Sequence, residues 1–407
     1  MLYVISILSS LIIYFIVKKV SEMSMGEENE DFYGKWTVCD EDGYYQSYKS
    51  WGRWQNDWRK NKPSNVKTVW DLLLTKNENK GFEDADIDNH LRVNSPYWVN
   101  TEKNIDEEER TLIKNCKGAG IRATWLGHAT ILAEVDGLHV LCYPVFSKYT
   151  GCECVPKNLL DRITYQFKRY RDPPCKVNQL PDDIHAVVIS HTHYDHLDKQ
   201  SVIDINEKYG ENIHWYVPSG SGSFFTYYGI KSDNLHEMVW WEEAKLNGGK
   251  IVFTPSNHYS NRFIHDMNTA LWGSFVIIGK NGYRLWFGGD TAYCDVFKQI
   301  AKRFGPFHLS AIPIGAYAPR EVLKWNHVDP EHAVQIHHDI RSEVSLGIHW
   351  GTFMLGAREG YLEPKEIIDQ KREESGKNEN GIDRLRFYTI SVGDTLEGNS
   401  AVIEETS

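Results

Sequence analysis

His191-Thr192-His193-Tyr194-Asp195-His196 follows directly on the apolar run Ala186-Val187-Val188-Ile189-Ser190. The run reads as a strand buried on both faces. Four of the six residues after it can bind a metal. His191 and His193 alternate along the chain and face one ion; Asp195 and His196 come after the turn and face a second. Crowding four desolvated polar side chains at one strand end is costly unless something pairs them. Two Zn²⁺ ions sharing a bridging hydroxide would do so.

Outward from this strand, the pattern predicts more of them. Ile121 to Leu126, Ala129 to Val135 and Leu138 to Cys142 suggest an antiparallel meander, with Gly127 and Asp136-Gly137 at the turns. Further strands are expected over Ile213 to Val217, Lys250 to Thr254, Leu271 to Gly279, Tyr283 to Phe287, His308 to Ile312 and Val344 to His349. Helical stretches fall at about Lys199 to Lys208, Asp295 to Phe304, Pro330 to His338 and Pro364 to Glu374. Strands mixed with flanking helices imply an α/β protein, two packed sheets covered on both sides. Three later strand ends carry a metal-type residue: His258, Asp290 after Gly288-Gly289, and His349. Each alone is weak, but strand ends on one edge of a sheet converge in space.

Composition sets the bounds. The chain has 407 residues, 41% of them hydrophobic, and a formal net charge of −11. An acidic chain disfavours nucleic acid as a partner, because phosphate binding needs a basic face. Seven cysteines without a C-x-x-C pair suggest reduced thiols. Met1 to Val17 carries no charged side chain and, as a helix at ~1.5 Å per residue, reaches ~25 Å. With no basic residue before it and Lys18-Lys19 after it, residues 1–22 read as a membrane anchor with a cytosolic body rather than a cleaved signal peptide. Residues 23–118 form an acidic spacer, Glu27 to Asp31, and a tryptophan-rich segment. There Trp51, Trp54 and Trp58 would share one helix face and lie buried across the main domain, with membrane contact as the alternative. The catalytic domain is expected over 119–395, and 396–407 as a polar tail.

The ordered set H-x-H-x-D-H, His, Gly-Asp, His resembles the metallo-β-lactamase superfamily. Several blocks go further: Trp125-Leu-Gly-His-Ala-Thr130, Arg303-Phe-Gly-Pro-Phe307, Ala311 to Tyr317, His327-Val-Asp-Pro-Glu331 and Ile348 to Phe353. Together they resemble the N-acyl-phosphatidylethanolamine-hydrolysing phospholipase D family over roughly Asn65 to Pro364. The resemblance implies a four-layer αββα sandwich and two zinc ions. His191, His193 and His258 would hold the first, Asp195, His196 and His349 the second, and Asp290 would bridge them. It places Asp195, Asp290 and His327 in the catalytic machinery, and Tyr194 and His327 at the substrate. The implied products are an N-acylethanolamine and phosphatidic acid from a membrane phospholipid. His128, in the Gly-His-Ala-Thr turn, either approaches the site or serves the turn. A homodimer is left open.

Two features qualify that reading. The family carries Thr-Asp-Pro after its third strand, where the acid supports a ligand histidine; here the stretch is Cys142-Tyr143-Pro144. A tyrosine brings no negative charge at neutral pH, which lowers the expected zinc affinity. Leu159, Leu160, Ile163, Phe167 and Tyr170, interleaved with Arg162, Lys168, Arg169 and Arg171, suggest a basic amphipathic helix for anionic headgroups, or an ordinary surface helix. The rival functions are another hydrolase on this scaffold, a lactonase or phosphodiesterase, and a membrane-bound lipid-binding protein of reduced activity.

Overall fold

The computed structural model describes residues 38–59, 84–99, 120–151, 167–263 and 265–398. Lys49–Ser50 (β1) and Arg53–Trp54 (β2) form a short antiparallel hairpin. Ile121–Gly127 (β3), Thr130–Val135 (β4), Leu138–Cys142 (β5), Ala186–Val188 (β6), His214–Pro218 (β7) and Leu235–Met238 (β8) build one sheet. Glu243–Leu246 (β9), Gly249–Thr254 (β10), Ser274–Ile278 (β11), Arg284–Phe287 (β12), Leu309–Pro313 (β13), Ser345–Ile348 (β14) and Phe387–Tyr388 (β15) build the other. Thr395–Glu397 (β16) returns to the first sheet beside β3. Each sheet has seven strands. In each, an antiparallel group on one side passes into a parallel group on the other.

The period of two along a strand explains the layering. In β4, Ile131, Ala133 and Val135 enter the core between the sheets, whereas Leu132 packs on the outer face. In β6, Ala186 and Val188 face inward and Val187 outward. Helix Lys199–Tyr209 (α1) covers that outer face with Val202 and Ile205, and Gly222–Tyr227 (α2) adds Phe225. On the second sheet the covering helices are Val296–Phe304 (α3), Pro330–Asp339 (α4) and Glu363–Ser375 (α5). The order is helix, sheet, sheet, helix, as the resemblance implied. Because both faces of each sheet are covered, the strands read as continuous apolar runs. At the Asp136-Gly137 turn both residues have positive φ, 54° and 80°, which suits the twist of the flanking strands.

Several expectations are corrected. Trp51, Trp54 and Trp58 do not share a helix. Trp54 closes the β1–β2 hairpin, Trp58 sits in a short 3₁₀ turn, and both are buried, at 7% and 1% exposure. Trp51, at the hairpin tip, is 99% exposed. Arg169 is not on a surface helix: it is buried and donates to the backbone carbonyls of Val145 and Ser147. Residues 159–166 of that proposed helix lie outside the described residues, as does the expected anchor at 1–22. Among the described residues no helix is long and apolar enough to cross a membrane. The first sheet continues past 395, since Leu396 and Glu397 pair with β3.

Candidate metal centre

Strand direction brings the ligand-type residues to one edge. β12, β13 and β14 run parallel, and β10 is two antiparallel steps from β12, so it points the same way. The segments leaving β10, β12 and β14 therefore deliver His258, Asp290 and His349 to a common rim. In the facing sheet β6 delivers His191 to His196. β3, two antiparallel steps from β5 and hence parallel to β6, delivers His128.

Three sets of side chains converge closely enough to share an ion: His191, His193, His258 and Asp290; His128, Asp195, His196 and His349; and Asp290, His327 and His349. His193 Nδ1 and His258 Nε2 are 3.2 Å apart. Two ligands on a tetrahedral zinc at bond lengths of 2.0–2.1 Å stand about 3.3 Å apart. Asp290 joins the groups. Its Oδ2 lies 3.1 Å from His196 Nε2, 3.7 Å from His258 Nε2 and 3.9 Å from His191 Nε2, and its Oδ1 lies 3.1 Å from His349 Nε2. Asp195 Oδ2 is 3.1 Å from His196 Nε2 and 3.6 Å from His349 Nε2.

The inward atoms His191 Nε2, His196 Nε2, His349 Nε2, His327 Nδ1 and Asp290 Oδ1 are buried without a well-formed hydrogen bond. Polar atoms so desolvated call for a partner, and one set of donors with nitrogen and carboxylate ligands fits a divalent metal. Burial presses His191 well below the ordinary imidazole range and His193 to about 4, so both present neutral lone pairs. Burial opposes ionisation of Asp195 and Asp290 too, yet the facing histidines, His196 foremost, hold both well below the usual carboxylate range. Burial also acts against His196 and His349, but the two carboxylates raise them to about 9 and about 10. An arriving cation displaces those protons.

The outer nitrogens set ring orientation. Ser190 Oγ meets His191 Nδ1 at 2.7 Å, Asn261 Oδ1 meets His193 Nε2 at 2.9 Å, and the Asn326 carbonyl meets His258 Nδ1 at 2.9 Å. His128 Nε2 reaches Asp195 Oδ2 at 2.9 Å, so His128 both makes the turn and touches the site. Burial lowers His128 to about 3, which keeps it neutral and able to donate to the carboxylate. His128 and His349 share the left-handed region, φ 53° and 64°, and the His349 N–H donates to the His128 carbonyl at 2.9 Å. Such backbone persists only where its surroundings over-determine it. Gly289, at φ 58°, has the Tyr143 hydroxyl and Ser190 Oγ where a Cβ would project, so only glycine lets Asp290 approach.

Of the two residues expected at the substrate, His327 joins one of the three convergent sets beside Asp290 and His349. Tyr194 is half-buried with the Arg262 guanidinium 4.1 Å from its ring centre. His327 Nδ1 lies 3.8 Å from Asp290 Oδ2, and burial lowers this imidazole to about 3. Sequence reasoning missed Arg262, which is buried and gives hydrogen bonds to the carbonyls of Thr192 and Leu197 at 3.1 and 2.7 Å, bracing the ligand loop. It also missed Asn261. Both sit three or four residues after His258, and that closeness was the one available sign. His332, His337 and His338 lie on α4 and join none of the three sets.

The β-lactamase superfamily domain matches residues 140–350. The chain is 38% identical over 297 residues to N-acyl-phosphatidylethanolamine-hydrolyzing phospholipase D 1 of Caenorhabditis elegans, covering 69% of this chain and 77% of that protein. It is 29% identical to the mitochondrial N-acyl-phosphatidylethanolamine-hydrolyzing phospholipase D of Saccharomyces cerevisiae, covering 86% and 76%. A possible metal-dependent hydrolase from Veillonella parvula shares the fold, with a TM-score of 0.52 at 16% identity over 68% of this chain and 99% of that one. The matched region contains every residue of the three convergent sets except His128. The chain belongs to the N-acyl-phosphatidylethanolamine-hydrolysing phospholipase D family of the β-lactamase superfamily and is a phosphodiester hydrolase.

Proposed function

We propose that this protein is a zinc-dependent phospholipase D that hydrolyses N-acyl-phosphatidylethanolamines to N-acylethanolamines and phosphatidic acid. The observation that carries the reading is Asp290, whose two oxygens reach both histidine groups, in a chain whose relatives bear that activity in their names. His191, His193 and His258 would hold one zinc, Asp195, His196 and His349 the other, with Asp290 between them. Zinc bound there supplies Lewis acidity and makes water a competent nucleophile near neutral pH.

The residues of the chain do the remaining work. Asp290 and Asp195 supply the negative charge that retains cations in a buried, low-dielectric site. His327, neutral and 15% exposed at the side chain, and Tyr194, half-buried with Arg262 over its ring, would bind the phosphate. In the overall reaction a bond forms from water oxygen to phosphorus, the bond from phosphorus to the ethanolamine oxygen breaks, and that oxygen takes up a proton. The body would meet a bilayer surface, tethered by residues 1–22 and facing the cytosol. The exposed Trp51, flanked by Lys49 and Arg53 in an acidic protein, supports contact with anionic headgroups.

The deciding experiment measures N-acylethanolamine released from vesicles containing the lipid, with and without a chelator, beside a lactone and an RNA panel. Chelator-sensitive release from the lipid alone is expected. Turnover of the lactone or RNA without release from the lipid would overturn the assignment.

A further inference from the structure

The outer nitrogens of the ligand histidines divide the centre into unlike halves. Around the first group each imidazole is held from behind, by Ser190, Asn261 and the Asn326 carbonyl. Around the second, Nδ1 of His196 and Nδ1 of His349 are both buried and, among the described residues, meet no hydrogen-bonding partner. Only Asp195 of that group is supported, by His128. The neighbour of His196 is Tyr143, fully buried, whose ring meets the imidazole edge-to-face at 5.2 Å between centroids and 80° between planes. The Tyr143 hydroxyl lies beside Gly289 and Ser190, where a Cβ on Gly289 would project.

We infer that the two metal positions are unequal: the His191, His193 and His258 position keeps its ion, the Asp195, His196 and His349 position exchanges it, and Tyr143 is the positioning residue responsible. The inference rests on the two-zinc reading above. An outer partner fixes the tautomer and orientation of a ligand imidazole and strengthens it as a donor; losing one costs about 10–100-fold in metal affinity. Two histidines of the same position lack it here. A carboxylate beside His196 could accept its Nδ1–H, whereas the Tyr143 hydroxyl, among the described residues, makes no hydrogen bond to it. Activity would then follow free zinc over the range in which the second position fills, while the first stays loaded and the fold stays intact.

Bound metal measured across a series of zinc buffers tests this directly. The wild type should fill in two one-equivalent steps separated by at least about tenfold in free zinc. One step of two equivalents overturns the inequality alone, whereas saturation at one equivalent overturns the two-zinc reading beneath it. Tyr143→Asp sets a carboxylate near His196 and should move the weaker step at least about tenfold toward lower free zinc, leaving the tighter step in place. A folded Tyr143→Asp protein with both steps unmoved overturns the role given to Tyr143. Tyr143→Phe keeps the ring and its volume, so both steps should stay where they are; a shifted weaker step would mean the hydroxyl was the support. Asn261→Ala should weaken the tighter step only. Should Tyr143→Asp fail to fold, as near-ultraviolet circular dichroism would reveal, the wild-type, Tyr143→Phe and Asn261→Ala titrations decide the matter.

Discussion

Asp290 concentrates the chemistry of this protein in one side chain. It is buried, ionised, and within reach of histidines from four separate segments. Asp290→Asn keeps the shape and removes the charge. It should lower turnover by roughly a thousandfold or more, about 4 kcal/mol of barrier, and reduce bound metal. Full activity with full metal content would end the bridging assignment. Arg262 acts at one remove, because its guanidinium supports the ligand loop through two backbone carbonyls. Arg262→Met should cost about 2–4 kcal/mol of stability and loosen metal binding with it; unaltered melting and metal content would show the brace to be dispensable. The candidate ligands were legible because their types are rare together at strand ends. Arg262, Asn261 and Ser190 were not, since a hydrogen bond to a ligand leaves no periodicity in the chain.

At the scale of elements, the β1–β2 hairpin is the clearest departure from expectation. Spacing suggested a helix face, but the positive φ of Trp51 and Gly52, 53° and 74°, makes a tight turn that throws one indole into solvent while Trp54 and Trp58 stay buried. Trp51→Ala should leave stability within about 0.5 kcal/mol and weaken binding to anionic vesicles several-fold in a sedimentation assay; equal binding would remove the hairpin from the membrane contact. Helix α4 holds a second test. His337 is buried with Nδ1 2.8 Å from Ser345 Oγ, and burial, with His338 and Arg386 adding to it, lowers it to about 3. The unfolded chain takes up this proton near pH 6.5, about the ordinary imidazole value. Stability contributed by the neutral ring is therefore present above about pH 6.5 and lost as pH falls toward about 3, amounting to a few kcal/mol. Denaturant titrations of His337→Gln should show a shallower loss of stability over that window than the wild type; parallel curves would point to other groups.

For the whole molecule, the metal centre lies where the two sheets meet, so it links segments from residue 128 to residue 349. Removing metal leaves buried histidines and two carboxylates without their cations. The apoprotein should unfold at lower temperature, and added zinc should raise the transition in a concentration-dependent way, as expected for any ligand bound only by the folded state. An unchanged transition on chelation and on zinc addition would mean that the folded centre gains nothing from the ion. Strands buried on both faces, the layered α/β class and the candidate ligand residues were legible along the chain, because apolar runs, turn residues and clustered histidines are local patterns. The pairing of β9, β15 and β16, the exposure of Trp51, the burial of Arg169 and the unequal support of the two histidine groups were decided only in the tertiary structure. Those depend on which side chain lies opposite which across hundreds of residues, and no spacing along the chain encodes that distance.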